Sequence, residues 1–308
     1  MTLCKDDYFF SFTENEYGIS IIANAEAIEK DFLPALQSAE CTELDAPAGI
    51  FRVLQVDDER GQGGSGKRIC EISEPLTRKR FPILYISTYQ TDFVLVSEPQ
   101  LCQVMEALRE DGFEIESALP EIRFDLVTPH WNEDEGVLLD EGDKQPPSPI
   151  ADPSRFLLAT SVLVNELQCV GLNKHDRSIW VQTVLKILCY PELVQSDCGP
   201  DHKRFCSFVA TSDDISIIAD KQIIAFFDDS SLMQEQDAPA QKVIQVHFSG
   251  SNTDRYGIVR SISKPLSIDA NINMLYLSSY MTANIIVSAD DLERAVSIIS
   301  PQKDLLIC

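Results

Sequence analysis

Basic residues are scarce in this sequence. It has 25 lysines and arginines against 49 aspartates and glutamates, which gives a formal net charge of −24 at pH 7. A chain this acidic repels the phosphates of nucleic acids and the headgroups of anionic membranes. The densest basic group, TRKR at residues 77–80, is short and typical of a solvated turn after a helix. The composition therefore argues against nucleic acid and membrane surfaces as partners.

Long apolar runs are also missing. No stretch approaches the roughly 20 residues that a membrane helix needs. The opening MTLCKDDYFF lacks the basic-then-apolar layout of a signal peptide. The nine cysteines are irregularly spaced, which is typical of small buried residues in a reducing compartment. We therefore expect a cytoplasmic protein without membrane insertion.

Patterns that carry catalysis or metal binding are not found either. The sequence has no G-x-S-x-G, H-E-x-x-H, C-x-x-C or Ser–His–Asp pattern. Cys198, His202 and Cys206 are near one another in sequence, but zinc sites usually show closely spaced cysteine pairs and four ligands. We predict no metal, no cofactor and no catalytic residue.

A glycine-rich stretch, GQGGSGKR at residues 61–68, follows the apolar run FRVLQV. It matches the G-x-x-x-x-G-K spacing of a phosphate-binding loop, but position 68 is Arg where Mg²⁺ binding needs Ser or Thr. An acidic DDE triplet precedes the glycines, and Pro75 is expected to end the following helix within about two turns. The sequence therefore predicts a strand-to-helix connection here, and no nucleotide site.

The chain contains an internal duplication. YFFSFTENEYGISIIA at residues 8–23 matches RFCSFVATSDDISIIA at residues 204–219, and the pentapeptide ISIIA is identical in both. LYISTYQTDFVLV at residues 84–96 likewise resembles LYLSSYMTANIIV at residues 275–287. Similar pieces in the same order at nearly the same separation indicate two related halves.

Each duplicated piece is predicted to be a β-hairpin followed by a short helix. A strand and a helix precede each hairpin except the first, which has only eight residues ahead of FFSF. Pro75 and Pro265 are expected to end the helices ahead of the second and fourth hairpins. The predicted fold is α+β, with four tandem ferredoxin-like βαββαβ units in two duplicated halves. The first unit is incomplete, because it is degenerate or because the chain starts late relative to its relatives.

The predicted boundaries follow from these patterns. They are a partial unit 1 at residues 1–46, unit 2 at 47–131, an acidic Pro-rich linker at 132–154, unit 3 at 155–238 and unit 4 at 239–308. The strand RFLLATS and the helix IWVQTVLKILCY are expected ahead of the third hairpin, and a shorter linker is expected at 228–241. The final strand of the units is not identified.

The tract ISTYQTDFVLV at residues 86–96, with GIVRSISKPL at residues 257–266 and the doubled organisation, resembles the CASTOR family. Members of that family are cytosolic arginine sensors built from four tandem ACT domains, which have the βαββαβ plan. The resemblance extends over almost the whole chain. It implies that arginine binds between the second and fourth units, and that the bound sensor releases the GATOR complex, which activates TOR signalling.

The resemblance also implies functional residues. Tyr89, Gln90 and Asp92 of STYQTDF would contact the protein partner, although Tyr89 and Gln90 can equally serve only as a hairpin turn. The implied ligand site is formed by Ile83, Asp254, Gly257, Ile258, Ser279 and Tyr280.

Two positions depart from the family pattern. Arg255 stands where the family has a loop glutamate, and Ala283 where it has the aspartate that holds the guanidinium. A guanidinium is held best by a bidentate carboxylate and is repelled by a nearby cation. Asp254 could substitute only if the loop shifts. We therefore expect free arginine to bind weakly or not at all, and an amino acid without a cationic side chain stays open as the ligand.

The sequence thus predicts a non-catalytic regulator in TOR or nutrient signalling that responds to an amino acid and acts through a GATOR-type partner. A homodimer is compatible with the sequence. Two alternatives stay open: a ligand-independent interaction protein, and an ACT-type regulatory subunit of an amino-acid biosynthetic enzyme.

Overall fold

A computed structural model describes residues 1–3, 8–38, 49–56, 64–116, 157–190, 192, 203–234, 239–300 and 305–307. The predicted linker at 132–154, together with Cys198 and His202, lies outside the described residues. The same holds for residues 61–63, which include the first two glycines of the 61–68 stretch. Within the described residues, 15 strands hydrogen-bond into one branched sheet that carries helices on its outer faces.

The strands are β1 (Thr2–Leu3), β2 (Phe9–Asn15), β3 (Gly18–Ile22), β4 (Phe51–Val56), β5 (Ile83–Ser87), β6 (Asp92–Ser97), β7 (Leu157–Val162), β8 (Leu167–Leu172), β9 (Cys206–Thr211), β10 (Ile215–Asp220), β11 (Leu232–Met233), β12 (Gln241–Phe248), β13 (Met274–Ser278), β14 (Thr282–Ser288) and β15 (Leu305–Ile307). The α-helices are α1 (Ala25–Ala27), α2 (Leu33–Ser38), α3 (Ser65–Arg78), α4 (Leu101–Glu110), α5 (Arg177–Cys189), α6 (Lys221–Ile224), α7 (Ile258–Ser263) and α8 (Leu292–Ile299). Ile28–Phe32 and Lys264–Asp269 are π-helical.

Unit 3 shows the complete βαββαβ plan, from β8 through α5, β9, β10 and α6 to β11. Its strands lie in the order β11-β8-β10-β9, and every neighbouring pair is antiparallel. β8 is not among the predicted strands. Residues 228–241, predicted to be a linker, contain the final strand of the unit.

Units 2 and 4 take their fourth strand from elsewhere in the chain. β1 pairs antiparallel with β4 at the edge of unit 2, and β7 pairs antiparallel with β12 in the corresponding place of unit 4. β15 adds to β7 in parallel. The described part of RFLLATS therefore lies in a strand, as predicted, but this strand completes the sheet of unit 4 and is not the first strand of unit 3.

Neither proline ends its helix, so both of these predictions are wrong. Pro75 lies inside α3, which continues to Arg78, and the Pro75 carbonyl accepts a hydrogen bond from Lys79 N at 3.1 Å. Proline removes only its own N–H, and the buried apolar face of α3 holds the helix together on both sides. Pro265 lies in the second position of the π-helical turn 264–269, whose wider ring accommodates it.

Unit 1 consists of β2, β3 and the helical segment 25–38. Only residues 4–8 separate β1 from β2, whereas β8 and α5 lie between the corresponding strands β7 and β9 of the other half. The described part of unit 1 thus has no counterpart of β8 and α5, and the prediction of an incomplete first unit is confirmed.

The strands of the four units join edge to edge in this one sheet. β5 pairs with β13 between units 2 and 4, β12 meets β8 between units 4 and 3, and β9 pairs with β2 between units 3 and 1. The sheet curls, so that the inner faces of units 1 and 3 pack against those of units 2 and 4. The rings of Phe9 and Phe93 meet edge to face across this core, with centroids 5.4 Å apart.

The hairpin strands of units 2 and 4, which are β5, β6, β13 and β14, are buried on both faces. In β6, Val94 and Val96 pack against the helices, and Phe93 and Leu95 pack against the other half. This two-sided burial explains why FVLV reads as a continuous apolar run, where a half-exposed strand would alternate. The predicted α+β fold of tandem βαββαβ units is confirmed.

Candidate functional site

The interface between units 2 and 4 has approximate two-fold symmetry. Tyr85 N donates a hydrogen bond to Ser278 Oγ at 2.9 Å, and Tyr276 N donates to Ser87 Oγ at 3.1 Å. The two tyrosine rings meet edge to face, with centroids 6.4 Å apart. Because Tyr276 and Ser278 are the duplicate-half counterparts of Tyr85 and Ser87, each side of the interface presents the same elements to the other.

The glycine-rich stretch ends at this interface. The side chain of Ser267 lies so close to Gly66 that a Cβ on Gly66 would overlap Ser267 Oγ and lie 3.0 Å from its Cβ. Gly66 N donates to Asn273 Oδ1 at 3.2 Å, and a Cβ on Gly64 would lie 2.5 Å from the same oxygen. These glycines permit close packing of α3 against unit 4, which accounts for them without a phosphate ligand.

Arg68 and Asp92 form an ion pair behind the β5–β6 hairpin. Arg68 Nε and Nη2 each lie 3.0 Å from Asp92 Oδ2, and Ser65 Oγ lies 3.4 Å from Oδ1. The carboxylate of Asp92 is only 1% exposed. Burial raises the pKa of Asp92 above its ordinary value, although Arg68 and Ser87 lower it. The pair therefore fixes the start of α3 to the hairpin.

The implied ligand residues lie on neighbouring segments. Ile83 begins β5, and the adjacent Pro82 forms an isolated β-bridge with Tyr256 in the loop 249–257. Ile83 and Ile258 belong to the same buried cluster. Gly257 has a φ of +82°, which glycine adopts easily, immediately before α7.

Asn252 ties the loop 249–257 to the turn at 279–281. Its backbone N donates to the Tyr280 carbonyl at 2.8 Å, and its Nδ2 donates to the carbonyls of Ser279 and Thr282 at 2.9 and 3.0 Å. Asn252 is buried. Sequence reasoning missed this residue, because nothing in its local pattern distinguishes it from other polar loop residues. The structure thus brings together the start of β5, the loop 249–257 and the turn at 279–281.

The two charged residues of the loop 249–257, Asp254 and Arg255, have different surroundings. Asp254 is exposed. The Arg255 guanidinium donates to the Ser249 carbonyl, and burial lowers its pKa while Asp254 raises it. Ala283 is fully buried in β14, in the place that Asp92 takes in the duplicate β6. This half of the interface therefore has an arginine in the loop and no carboxylate at the strand.

The turn at 279–281 is also connected to the other half of the molecule. Asn15 Nδ2, at the end of β2, donates to Thr282 Oγ1 at 2.9 Å and to Asn284 Oδ1 at 3.1 Å. The Thr282 hydroxyl in turn hydrogen-bonds to the Ser279 hydroxyl. Two hydrogen bonds that meet at Thr282 thus connect the hairpin of unit 1 to the turn of unit 4.

The implied partner residues differ in exposure. Gln90 is exposed, Tyr89 is half-buried, and Asp92 is buried against Arg68. Tyr89 N donates to Ser216 Oγ of unit 3 at 3.4 Å, and the hydroxyl of Thr88 donates to Asp214. The hairpin therefore packs on unit 3, and the three side chains do not share one exposed patch.

The described residues contain no group of three or more His, Cys, Asp or Glu side chains that could hold a metal ion. Of the sequence triplet, Cys206 is buried in β9. Among the described residues no helix is both long and apolar enough to cross a membrane.

Comparisons with known proteins agree with this fold. Residues 49–110 and 222–300 match the family model described as the ACT domain. The chain is 24% identical over 312 residues to the cytosolic arginine sensor for mTORC1 subunit 1 of Homo sapiens, covering 98% of this chain and 87% of the relative. The protein of the same name from Mus musculus is 23% identical over 308 residues, with coverages of 98% and 86%.

Among solved structures, aspartate kinase from Synechocystis matches 95% of this chain and 48% of its own, at 12% identity and a TM-score of 0.35. That similarity is too low to carry an argument. The two ACT-domain matches fall mainly on units 2 and 4, the two units that form the interface described above. The chain is therefore an α+β protein in which units 2 and 4 match the ACT domain.

Proposed function

We propose that the chain is a non-catalytic regulator that senses an amino acid at the unit 2–unit 4 interface and acts through a protein partner in TOR or nutrient signalling. The ACT-domain matches and the relatives named as sensors support this proposal. The observation that carries it is the contact chain from Asn15 through Thr282 to Ser279, because it links the implied ligand turn to the other half.

The proposed ligand contacts are those of Ile83, Asp254, Gly257, Ile258, Ser279 and Tyr280. The ligand is an amino acid without a cationic side chain. Ala283 supplies no carboxylate to a guanidinium, and Arg255 adds a positive charge to the loop. An isolated buried cation would be costly there.

The proposed mechanism is a coupling between ligand and partner. A ligand held between loop 249–257 and the turn at 279–281 favours one position of Thr282 and, through Asn15, one packing of the two halves. The β5–β6 hairpin, which packs on unit 3, would respond to the same change. The partner surface includes Tyr89 and Gln90, and the proposed partner is a cytoplasmic complex of the GATOR type. Asp92 does not contact the partner in this proposal. It holds the hairpin in place through its ion pair with Arg68.

Thermal denaturation of the purified chain with each amino acid tests the ligand proposal. A ligand at about 100 times its Kd adds about 2.7 kcal/mol to the free energy of unfolding, so Tm should rise by several degrees. We expect one or more neutral amino acids to raise Tm, and arginine to have little effect. Asn252→Ala should abolish the rise, because the loop is then released from the turn, whereas Thr253→Ala should retain it.

Two outcomes would contradict the proposal. If no amino acid changes Tm, the ligand-independent interaction protein is the better description. Affinity purification from cell extract, with and without the active amino acid, tests the partner. Recovery of a biosynthetic enzyme in place of a GATOR-type complex would favour a regulatory subunit.

A further inference from the structure

The pentapeptide ISIIA occurs twice and has two different surroundings. In unit 3 it begins β10, where Ile215 is 8% and Ile217 0% exposed. In unit 1 it begins within β3, where the corresponding Ile19 is 59% and Ile21 38% exposed. Because the residues are identical, the difference arises entirely from what covers them.

Two elements cover β10. β8 pairs along its outer edge, with Ser216 opposite Gly171 and Ile217 opposite Val170. α5 covers its face and joins the same buried cluster. Among the described residues, β3 pairs with β2 alone. An open edge of this kind offers a row of N–H and C=O groups to another strand.

A surface pocket of about 300 Å³ lies just beyond the end of β3. Tyr8, Phe10 and Ala23 line it, together with Glu26, Lys30 and Asp31 of the helical segment 25–38. Phe10 packs on Phe208, with ring centroids 6.3 Å apart, so the floor of the pocket is continuous with the core of unit 3. A groove with an apolar floor and charged side chains on its helical wall therefore lies next to the open strand edge, where it can receive side chains of an added segment.

Charge favours a foreign partner over a second copy. The net charge of −24 makes two copies of the chain repel each other. The segment that covers β10, residues 167–190, instead carries Lys174, Arg177 and Lys186 against a single acid, Asp176. It is a basic segment in an acidic protein.

We propose that the outer edge of β3 is a docking site for a partner protein, whose docking segment is similar in chemistry to residues 167–190 of this chain. The partner adds an antiparallel strand with aliphatic side chains, followed by an apolar helix flanked by basic residues. Its strand takes the register of β8, opposite Ser20 and Ile21, and its helix covers Ile19 and Ile21. In such strand addition, main-chain hydrogen bonds give affinity and alternate side chains give specificity. This surface is separate from the unit 2–unit 4 site.

A peptide from the chain itself provides the probe. The synthetic peptide 167–190, with Cys169→Ser and Cys189→Ser, is titrated into the full chain and binding is followed by calorimetry or fluorescence anisotropy. We expect binding at one site per chain. Ile21→Asp should weaken it about 10-fold or more, because a buried isoleucine contact is replaced by a charge. Val164→Asp, a change at another exposed apolar residue, should leave binding unchanged.

Two N-methylated peptides separate strand pairing from apolar adsorption. They carry N-methyl groups at alternate residues of 167–172, so only one of them loses the N–H groups that face β3. Strand addition requires that one peptide fails to bind and the other binds normally. Equal binding of both, binding that survives Ile21→Asp, or no binding at all overturns the proposal. So does a dimer of the free chain that Ile21→Asp dissociates in sedimentation, because a second copy then occupies the edge.

Discussion

Gly66 of α3 lies directly against Ser267 of unit 4, with no room between them for even a methyl group. Gly66→Ala should lower the free energy of unfolding by about 1–3 kcal/mol, because the new Cβ forces the two units apart. Urea denaturation measures the change. Gly49→Ala is the matched control, since a Cβ there meets only Phe51 at 3.8 Å. Equal stability of the two variants would contradict close packing at Gly66.

Arg68 is the cation that allows Asp92 to be buried. Arg68→Ala should lower the free energy of unfolding at pH 7 by about 3 kcal/mol, because it leaves a buried carboxylate without its partner. The pKa of Asp92 in the folded chain is already raised by burial, and the loss of Arg68 raises it further. Because the pKa of Asp92 is higher in the folded chain than in the unfolded chain, the free energy of unfolding falls as pH rises above the unfolded-state pKa. The loss should therefore be smaller at pH 5 than at pH 7.

Denaturation of the variant at both pH values checks this sign. The double variant Arg68→Ala with Asp92→Asn should recover part of the stability at pH 7, because no charge is then buried. A loss that is independent of pH would mean that Arg68 contributes through packing only.

Thr88 donates the only hydrogen bond to the Asp214 carboxylate that is found among the described residues, and Asp214 Oδ1 has no partner there. Burial raises the pKa of Asp214, and the Thr88 hydroxyl lowers it. Thr88→Val should therefore raise this pKa further and cost about 1–3 kcal/mol at neutral pH. The cost diminishes as pH falls through the raised pKa, since a protonated Asp214 is cheaper to bury.

Carboxyl ¹³C NMR titration reads the Asp214 pKa directly. Thr88→Ser keeps the hydroxyl and should leave the pKa unchanged. If Thr88→Val also leaves it unchanged, the hydrogen bond between the hairpin and unit 3 does not form in solution.

Ala283 is expected to prevent tight arginine binding, because it supplies no carboxylate to a guanidinium. Ala283→Asp places a carboxylate in β14 where β6 has Asp92, and arginine could then supply the missing guanidinium. We expect arginine binding that calorimetry detects in this variant and not in the natural chain. Ala283→Asn, which has the same size without the charge, should not gain it. Tight arginine binding by the natural chain would contradict the expectation outright.

Part of the site was readable in the sequence. The duplication located both hairpins of the unit 2–unit 4 interface, and β5, β6, β13 and β14 lie where the patterns placed them. Asn252 and the Arg68–Asp92 pair were not readable, because their partners are fixed by tertiary packing and not by local spacing. The implied roles of the ligand and partner residues stay predictions.

Local periodicity and duplication by themselves determined the unit plan, because a βαββαβ repeat imposes its pattern on every copy. They could not determine strand partners. β7 follows the pattern expected of the first strand of unit 3, yet it pairs with β12 and completes unit 4. Nor could they show that one copy of ISIIA is buried and the other exposed. Only the tertiary structure decided these points, because burial and pairing depend on the neighbours a segment meets in space.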